Sequence, residues 1–345
     1  MRTVYSDRHR LQDGKAELVD GRLLPCFETP RRADLILAEV KARGLGEVIG
    51  PEAFGKEPLA RVHDPRYLAF LETAWDEWVA AHGDHDALPL VWAIRGHRNR
   101  EPGTIGGRLS YFSMDAGTPI TAGTWKAATA SADVALTGAK LVAGGEGAAF
   151  SLCRPPGHHS GPDYLGGYCF LNNAAIAAQW LRDQGAARVA VLDIDYHHGN
   201  GTQIVFYGRA DVLFLSIHAD PAEEYPHFLG YADETGTGAG EGFTRNYPLP
   251  WGTGFDRWSG ALDDALAAVR AYAPDAVVVS LGVDAFKDDP ISRFTLESAD
   301  FTTAGRRIGA LNLPTLFVME GGYAIGPIGV NAVNVLAGFE DARGR

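Results

Sequence analysis

Five short apolar runs, 148-AAFSLC-153, 188-RVAVLDI-194, 212-VLFLSIH-218, 276-AVVVSLG-282 and 315-TLFVME-320, constrain the fold of this chain more than any other feature. They are rich in β-branched residues and apolar at consecutive positions, so both faces of each must be buried. Helical runs separate them. In 29-TPRRADLILAEVKARG-44, Thr29 can cap, Pro30 suits the first turn and Gly44 stops the helix. The run 64-DPRYLAFLETAWDEWVAAHG-83 follows the same logic, and residues 124–142, 173–185, 257–273 and 302–311 read as further helices. Buried strands alternating with helices predict an α/β fold: a central, mostly parallel sheet flanked by helices on both faces. Trp75, Trp78 and Trp180 stand at helical spacings and are expected in the core.

Residues 83–123 break the pattern. Gly, Pro, Arg and Asn are frequent there, periodicity is weak, and the stretch is long for a loop in a compact domain. One domain over 1–345 is expected, with this stretch inserted to form an oligomer or gate a site. The formal net charge is −12, with no block of lysines or arginines, which argues against a nucleic-acid partner. Nothing approaches eighteen consecutive apolar residues, and MRTVYSDRHR carries no apolar stretch, so a cytoplasmic protein without a membrane partner is expected. Cys26, Cys153 and Cys169 show no paired spacing and are expected as reduced thiols.

The second apolar run ends in unusual polarity, 193-DIDYHHGN-200. Residues i and i+2 of a strand share a direction, so Asp193 and Asp195 point together and His197 follows as the chain leaves the sheet. Such a pair of aspartates with a histidine either chelates a metal or caps the next helix. Chelation by two carboxylates and one imidazole suits Zn²⁺, with Fe²⁺, Co²⁺ and Mn²⁺ as further candidates. Other strand ends weigh on this choice: one delivers Asp284, another Tyr323 after two glycines, a third His158 and His159. In an open parallel sheet these ends converge on one crevice. Asp195, His197 and Asp284 would then be three metal ligands, leaving room for water and substrate.

CRPPGHH, GGYCFLNN, DIDYHHGNGTQ, SLGVD and MEGGY, in this order, resemble the histone deacetylase-like amidohydrolases over nearly the whole chain. LPCFETP, ITAGTW, DPAEEYPHFLGYADETG and DDPIS place the resemblance nearest the acetylpolyamine amidohydrolase branch. It implies an arginase-like α/β fold, one zinc, and a homodimer built through an inserted loop, here 83–123. It implies His159 as general base and then acid, His158 as its electrostatic partner, and Tyr323 as hydrogen-bond donor to the oxyanion. Asp193 would orient His158 and Asn200 would orient His159. Asn200 lacks the charge of an aspartate, so the two histidines should differ in pKa. A potassium ion would be held by Asp193, Asp195, His197, Ser216 and Ile217, and Gly167, Tyr168 and Tyr225 would line the substrate tunnel.

His198 is read as a structural histidine behind the strand, and Asp288 and Asp289 as a turn or cap before Pro290. The branch also implies a carboxylate at the tunnel mouth, where this chain has Gly106 and Gly117. Asp115 either replaces it from two residues away or is a turn residue. The expected activity is zinc-dependent deacetylation of small N-acetylated amines. The same chemistry on acetyl-lysine peptides or a neutral amide is the alternative, and a metal-retaining binding protein without turnover is the third reading.

Overall fold

The computed structural model describes residues 1–93 and 99–344. Strand β1 (Arg2–Val4) leads to a hairpin of β2 (Glu17–Val19) and β3 (Arg22–Leu24), then α1 (Arg31–Ala42) and β4 (Val48–Ile49). Helices α2 (Glu57–Ala60), α3 (Pro65–His82), α4 (Ile105–Tyr111) and α5 (Thr124–Ala143) precede β5 (Ala148–Ser151). The chain continues through α6 (Asn173–Asp183), β6 (Val189–Asp193), α7 (Asn200–Phe206), β7 (Val212–Ala219) and β8 (Thr244–Leu249). It closes with α8 (Phe255–Tyr272), β9 (Ala276–Leu281), α9 (Ser298–Gly309), β10 (Thr315–Met319) and α10 (Ile328–Ala342).

Eight strands form one sheet in the order β4-β1-β5-β10-β9-β6-β7-β8, and every neighbouring pair is parallel. The five apolar runs are its five central strands apart from the edge members. Alternation along them divides the core into two layers. Val189, Val191, Val278, Leu316 and Val318 pack against α3, α5 and α6 on one face. Ala190, Leu192, Val277, Val279 and Phe317 pack against α1, α8, α9 and α10 on the other. Trp78 is buried in the first layer, and Trp75 and Trp180 are half-buried against it.

The connection from β5 through α6 to β6 passes over β10 and β9. Loops leaving β5 and β6 therefore spring apart above the ends of β9 and β10 and open a crevice there. Of the segment 83–123, residues 94–98 lie outside the described residues; the rest contains α4 and a bridge pairing Ala87 with Ile120. Cys26, Cys153 and Cys169 are free thiols. Among the described residues no helix is long and apolar enough to cross a membrane.

Candidate active site

The polarity at the end of β6 is organised by its own backbone. Asp193 Oδ1 accepts the N–H of Asp195 at 3.1 Å, and Asp195 Oδ1 accepts the N–H of His197 at 2.9 Å. Each aspartate thus braces the chain two residues on, as Asx turns do. From the end of β9, Asp284 Oδ1 accepts the N–H of Tyr196 at 2.9 Å, joining the two strand ends. His197 Nδ1 lies 3.1 Å from Asp284 Oδ2 and 3.4 Å from Asp195 Oδ1. All three side chains are buried, and their donor atoms lie within 4.8 Å of one another.

This donor set fits a divalent cation. Burial and the neighbouring Asp195 push the Asp284 carboxyl up to about 7, which is the strain of two carboxylates confined together. A cation of the zinc type relieves it and matches the ligand chemistry. The loop above leaves space: a Cβ on Gly321 would stand 2.5 Å from Asp195 Oδ2 and 2.6 Å from Asp284 Oδ2. Gly321 is therefore required for room, whereas Gly322, with φ +128°, is required for backbone conformation.

His158 and His159 enter from the β5 loop with ring centroids 4.0 Å apart. His158 Nδ1 is 3.0 Å from Asp193 Oδ2, and His159 Nδ1 is 2.6 Å from Asn200 Oδ1. The Asn200 amide is oriented by its Nδ2, which donates to Tyr164 Oη at 3.1 Å, so His159 carries its proton on Nδ1 and leaves Nε2 as a free base. Burial alone would lower both rings. For His158 the carboxylates of Asp195 and Asp193 outweigh it and push the ring up to about 10. For His159, burial is reinforced by His158 and His197, and the ring falls well below its ordinary value. The two adjacent rings are thus driven in opposite directions, which favours a neutral His159 beside its partner.

Tyr323 follows β10 and is buried, which holds its phenol well above its ordinary pKa and keeps the hydroxyl protonated. The Arg32 guanidinium stacks over its ring at 4.7 Å. Tyr323, His159, His197, Gly167, Tyr168 and Tyr225 line one cavity of about 510 Å³. The tyrosines read as tunnel residues therefore lie at it, with Tyr168 and Tyr323 rings 5.5 Å apart and Tyr225 5.1 Å from His159.

Asp115 lines the same cavity, but its carboxylate is fully used. Oδ1 accepts from Gly117 N at 3.0 Å and Thr118 Oγ1 at 3.0 Å; Oδ2 accepts from Gly167 N at 2.6 Å and Tyr225 Oη at 2.8 Å. Asp115 is a turn residue that also staples two other wall segments. Of the two glycines, Gly117 lines the cavity, while the nearest neighbour of a Cβ on Gly106 would be His82 at 3.7 Å. His198 sits behind the strand as a structural histidine, its Nε2 2.9 Å from Gln203 Oε1 and its ring tilted against that of His218 at 4.5 Å.

Sequence reasoning missed several groups. Buried Glu320 accepts the N–H of Gly157 at 2.6 Å and of His158 at 3.2 Å, tying β10 to the histidine loop. Buried Glu28 bridges Arg32 and Arg154, with Arg32 Nη1 at 2.7 Å and Arg154 Nε at 2.8 Å. Asp289 is the turn residue expected, its Oδ1 accepting the N–H of Ile291 at 3.2 Å, but it is also buried and its Oδ2 accepts the N–H of Tyr323 at 2.7 Å. The E of MEGGY and the R of CRPPGHH were visible signals, as charges inside otherwise apolar or glycine-rich motifs.

A buried donor triad, a paired-histidine base and a phenol, gathered at the carboxyl ends of a parallel sheet, define a class of metal-dependent hydrolase. The histone deacetylase domain model matches residues 26–339. The chain belongs to the histone deacetylase family, as a hydrolytic enzyme of its acetylpolyamine amidohydrolase branch. Acetylpolyamine amidohydrolases 1 and 2 of Pseudomonas aeruginosa are each 60% identical to it, over 99% of both chains. The crystal structure of acetylpolyamine aminohydrolase from Burkholderia pseudomallei superposes with a TM-score of 0.95 at 42% identity, covering 99% of each chain.

Proposed function

We propose that this protein deacetylates acetylpolyamines and similar small N-acetylated amines, with zinc held by Asp195, His197 and Asp284. The observation that carries this reading is the meeting of that triad, His159 and Tyr323 at one cavity. Zinc bound there would polarise the amide carbonyl and acidify a water. His159 Nε2 takes the proton of the attacking water and returns it to the departing amine. His158, which the carboxylates of Asp195 and Asp193 drive toward its protonated form, would supply positive charge beside the reacting carbonyl. Tyr323 donates its O–H to the oxygen as negative charge develops. The neutral state of His159 supports its role as the base, because a base must be unprotonated at working pH.

Substrate class rests on the relatives and on the cavity's charge. Two acetylpolyamine amidohydrolases are each 60% identical to the chain, and exposed Asp20 and half-buried Glu224 line the cavity, which suits a cationic tail. A second reading, the same chemistry on acetyl-lysine peptides or neutral amides, is favoured by Gly117 and by the saturated Asp115. A protein that merely retained a metal would have no use for the two histidines and their orienting partners.

A potassium ion at Asp193, Asp195, His197, Ser216 and Ile217 is supported by their complete or near-complete burial and by the cross-strand pairing of Asp193 with Ser216. We also read the chain as one domain that forms a homodimer through 83–123. An apolar groove beside the cavity, lined by Trp92, Met114, Ile204, Phe228 and Leu229, supports that face as the contact. The test is amine release from N-acetylputrescine and an acetyl-lysine peptide, with a Tyr323→Phe control. Turnover of the acetyl-diamine that falls about 10²–10³-fold in the control is expected. Equal turnover in the control would refute the role of Tyr323, and preference for the peptide would refute the substrate class.

A further inference from the structure

Tyr323 must aim its hydroxyl, yet among the described residues no side chain hydrogen-bonds that hydroxyl. Its ring touches Tyr168 and the Arg32 guanidinium, neither of which fixes a direction as a hydrogen bond does. Aim has to be set at the backbone. The residue before it, Gly322, has φ +128° and no Cβ to limit rotation, so the peptide joining 322 to 323 is the weak point.

That peptide is gripped at both edges. On one edge, Arg32 Nε donates to the Gly322 carbonyl at 2.6 Å, and Arg32 Nη2 donates to the Glu320 carbonyl at 2.6 Å. On the opposite edge, Asp289 Oδ2 accepts the N–H of Tyr323 at 2.7 Å and the N–H of Ala324 at 3.1 Å. A peptide plane held by a cation at its C=O and an anion at its N–H cannot flip without breaking two charge-assisted hydrogen bonds. Asp289 is itself immobile. It is 6% exposed, its Oδ1 accepts the N–H of Ile291 at 3.2 Å, and its own N–H donates to the Phe286 carbonyl at 3.0 Å. Its neighbour Asp288, by contrast, is exposed.

We infer that Asp289 is a positioning residue for the reaction: by fixing the 322–323 peptide it directs the Tyr323 hydroxyl into the cavity. It also joins that tyrosine to the wall segment Pro290–Arg293, which lines the same cavity. This inference rests on the reading of Tyr323 as the oxyanion donor.

The experiment is a double-mutant cycle of Asp289→Ala with Tyr323→Phe, each variant checked for bound zinc and thermal unfolding. Misplacing a catalytic group by about an ångström costs on the order of 10²-fold. Asp289→Ala is expected to lower kcat by about ten- to a hundredfold with KM little changed, and to add less than about twofold in the Tyr323→Phe background. Asp289→Asn keeps one carbonyl oxygen for Tyr323 N–H and should recover part of kcat; should the alanine variant not fold, this variant carries the cycle. Equal losses in both backgrounds would show general damage and overturn the inference, as would an unchanged kcat. A second readout is the ¹⁹F resonance of 3-fluorotyrosine placed at 323, expected as one narrow line in the parent and displaced or multiple in Asp289→Ala. If Tyr323→Phe keeps full turnover, the oxyanion reading fails, and the ¹⁹F line alone decides whether Asp289 positions the ring.

Discussion

The floor of the cavity takes its groups from the ends of adjacent parallel strands, whereas its wall is assembled from loops far apart in the chain. Asp193, Asp195, His197 and Asp284 leave β6 and β9, which are hydrogen-bonded neighbours, so sheet register alone brings them together. The wall has no such template. Asp115 instead gathers Gly117, Thr118, Gly167 and Tyr225 around one carboxylate. Chemistry is thus stored where the fold is stiffest, and substrate choice where one side chain can rearrange several segments. The same contrast runs through Tyr323: its position along the chain is set by β10, but its aim is set by Arg32 and Asp289.

The largest expected effect tests the floor. His159→Ala should lower kcat by about 10²–10⁴-fold while zinc binding persists, measured by steady-state kinetics and metal analysis. Retained turnover would break the assignment of chemistry to the strand ends. Next is a buried structural histidine. His63 Nδ1 donates to the Gly161 carbonyl at 2.9 Å and Nε2 accepts the N–H of Asn172 at 3.0 Å, bracing the segment between the histidine loop and α6. Burial lowers its pKa to about 4, so the folded state holds it neutral while the unfolded chain would protonate it near 6.5. Its contribution is full above about 6.5 and is lost as pH falls through about 4, amounting to about 3 kcal/mol. Denaturant unfolding from pH 7 to 4 should show that loss, and His63→Gln should lack it.

Smaller effects test the wall. Asp115→Ala strands the half-buried N–H of Gly167 and the Tyr225 hydroxyl, and should cost about 2 kcal/mol of stability while raising KM more than it lowers kcat. An effect on kcat alone would erase the distinction between wall and floor. Tyr225→Phe removes one of the four donors to Asp115 and should cost about 1 kcal/mol, with a correspondingly smaller rise in KM. A larger change than that of Asp115→Ala would mean that the tyrosine contacts substrate directly.

What was legible in the sequence follows the same division. The apolar runs announced the central strands because burial on both faces forces consecutive apolar residues, and the polar residues just past them announced the floor. Strand β1 and the edge strand β4 escaped, since three and two residues carry no measurable alternation. Helix α10 escaped for the opposite reason: it is apolar nearly all round and interrupted by Gly329 and Gly338, so no single face stands out. Asp289 was legible as a turn residue, but its hold on Tyr323 was not, because that partner lies 34 positions away, a distance that local chemistry cannot reveal. Asp115 was seen as an acid near the mouth, but its four donors come from three segments that only the folded chain brings together.

The central claim is that one metal at Asp195, His197 and Asp284 runs the chemistry of the whole cavity. The most direct test is amine release from N-acetylputrescine as zinc is added back in steps to metal-free protein. Release should rise linearly and saturate at one zinc per chain, and Asp284→Ala should show no rise. Turnover without metal, or saturation only at two per chain, would contradict the account.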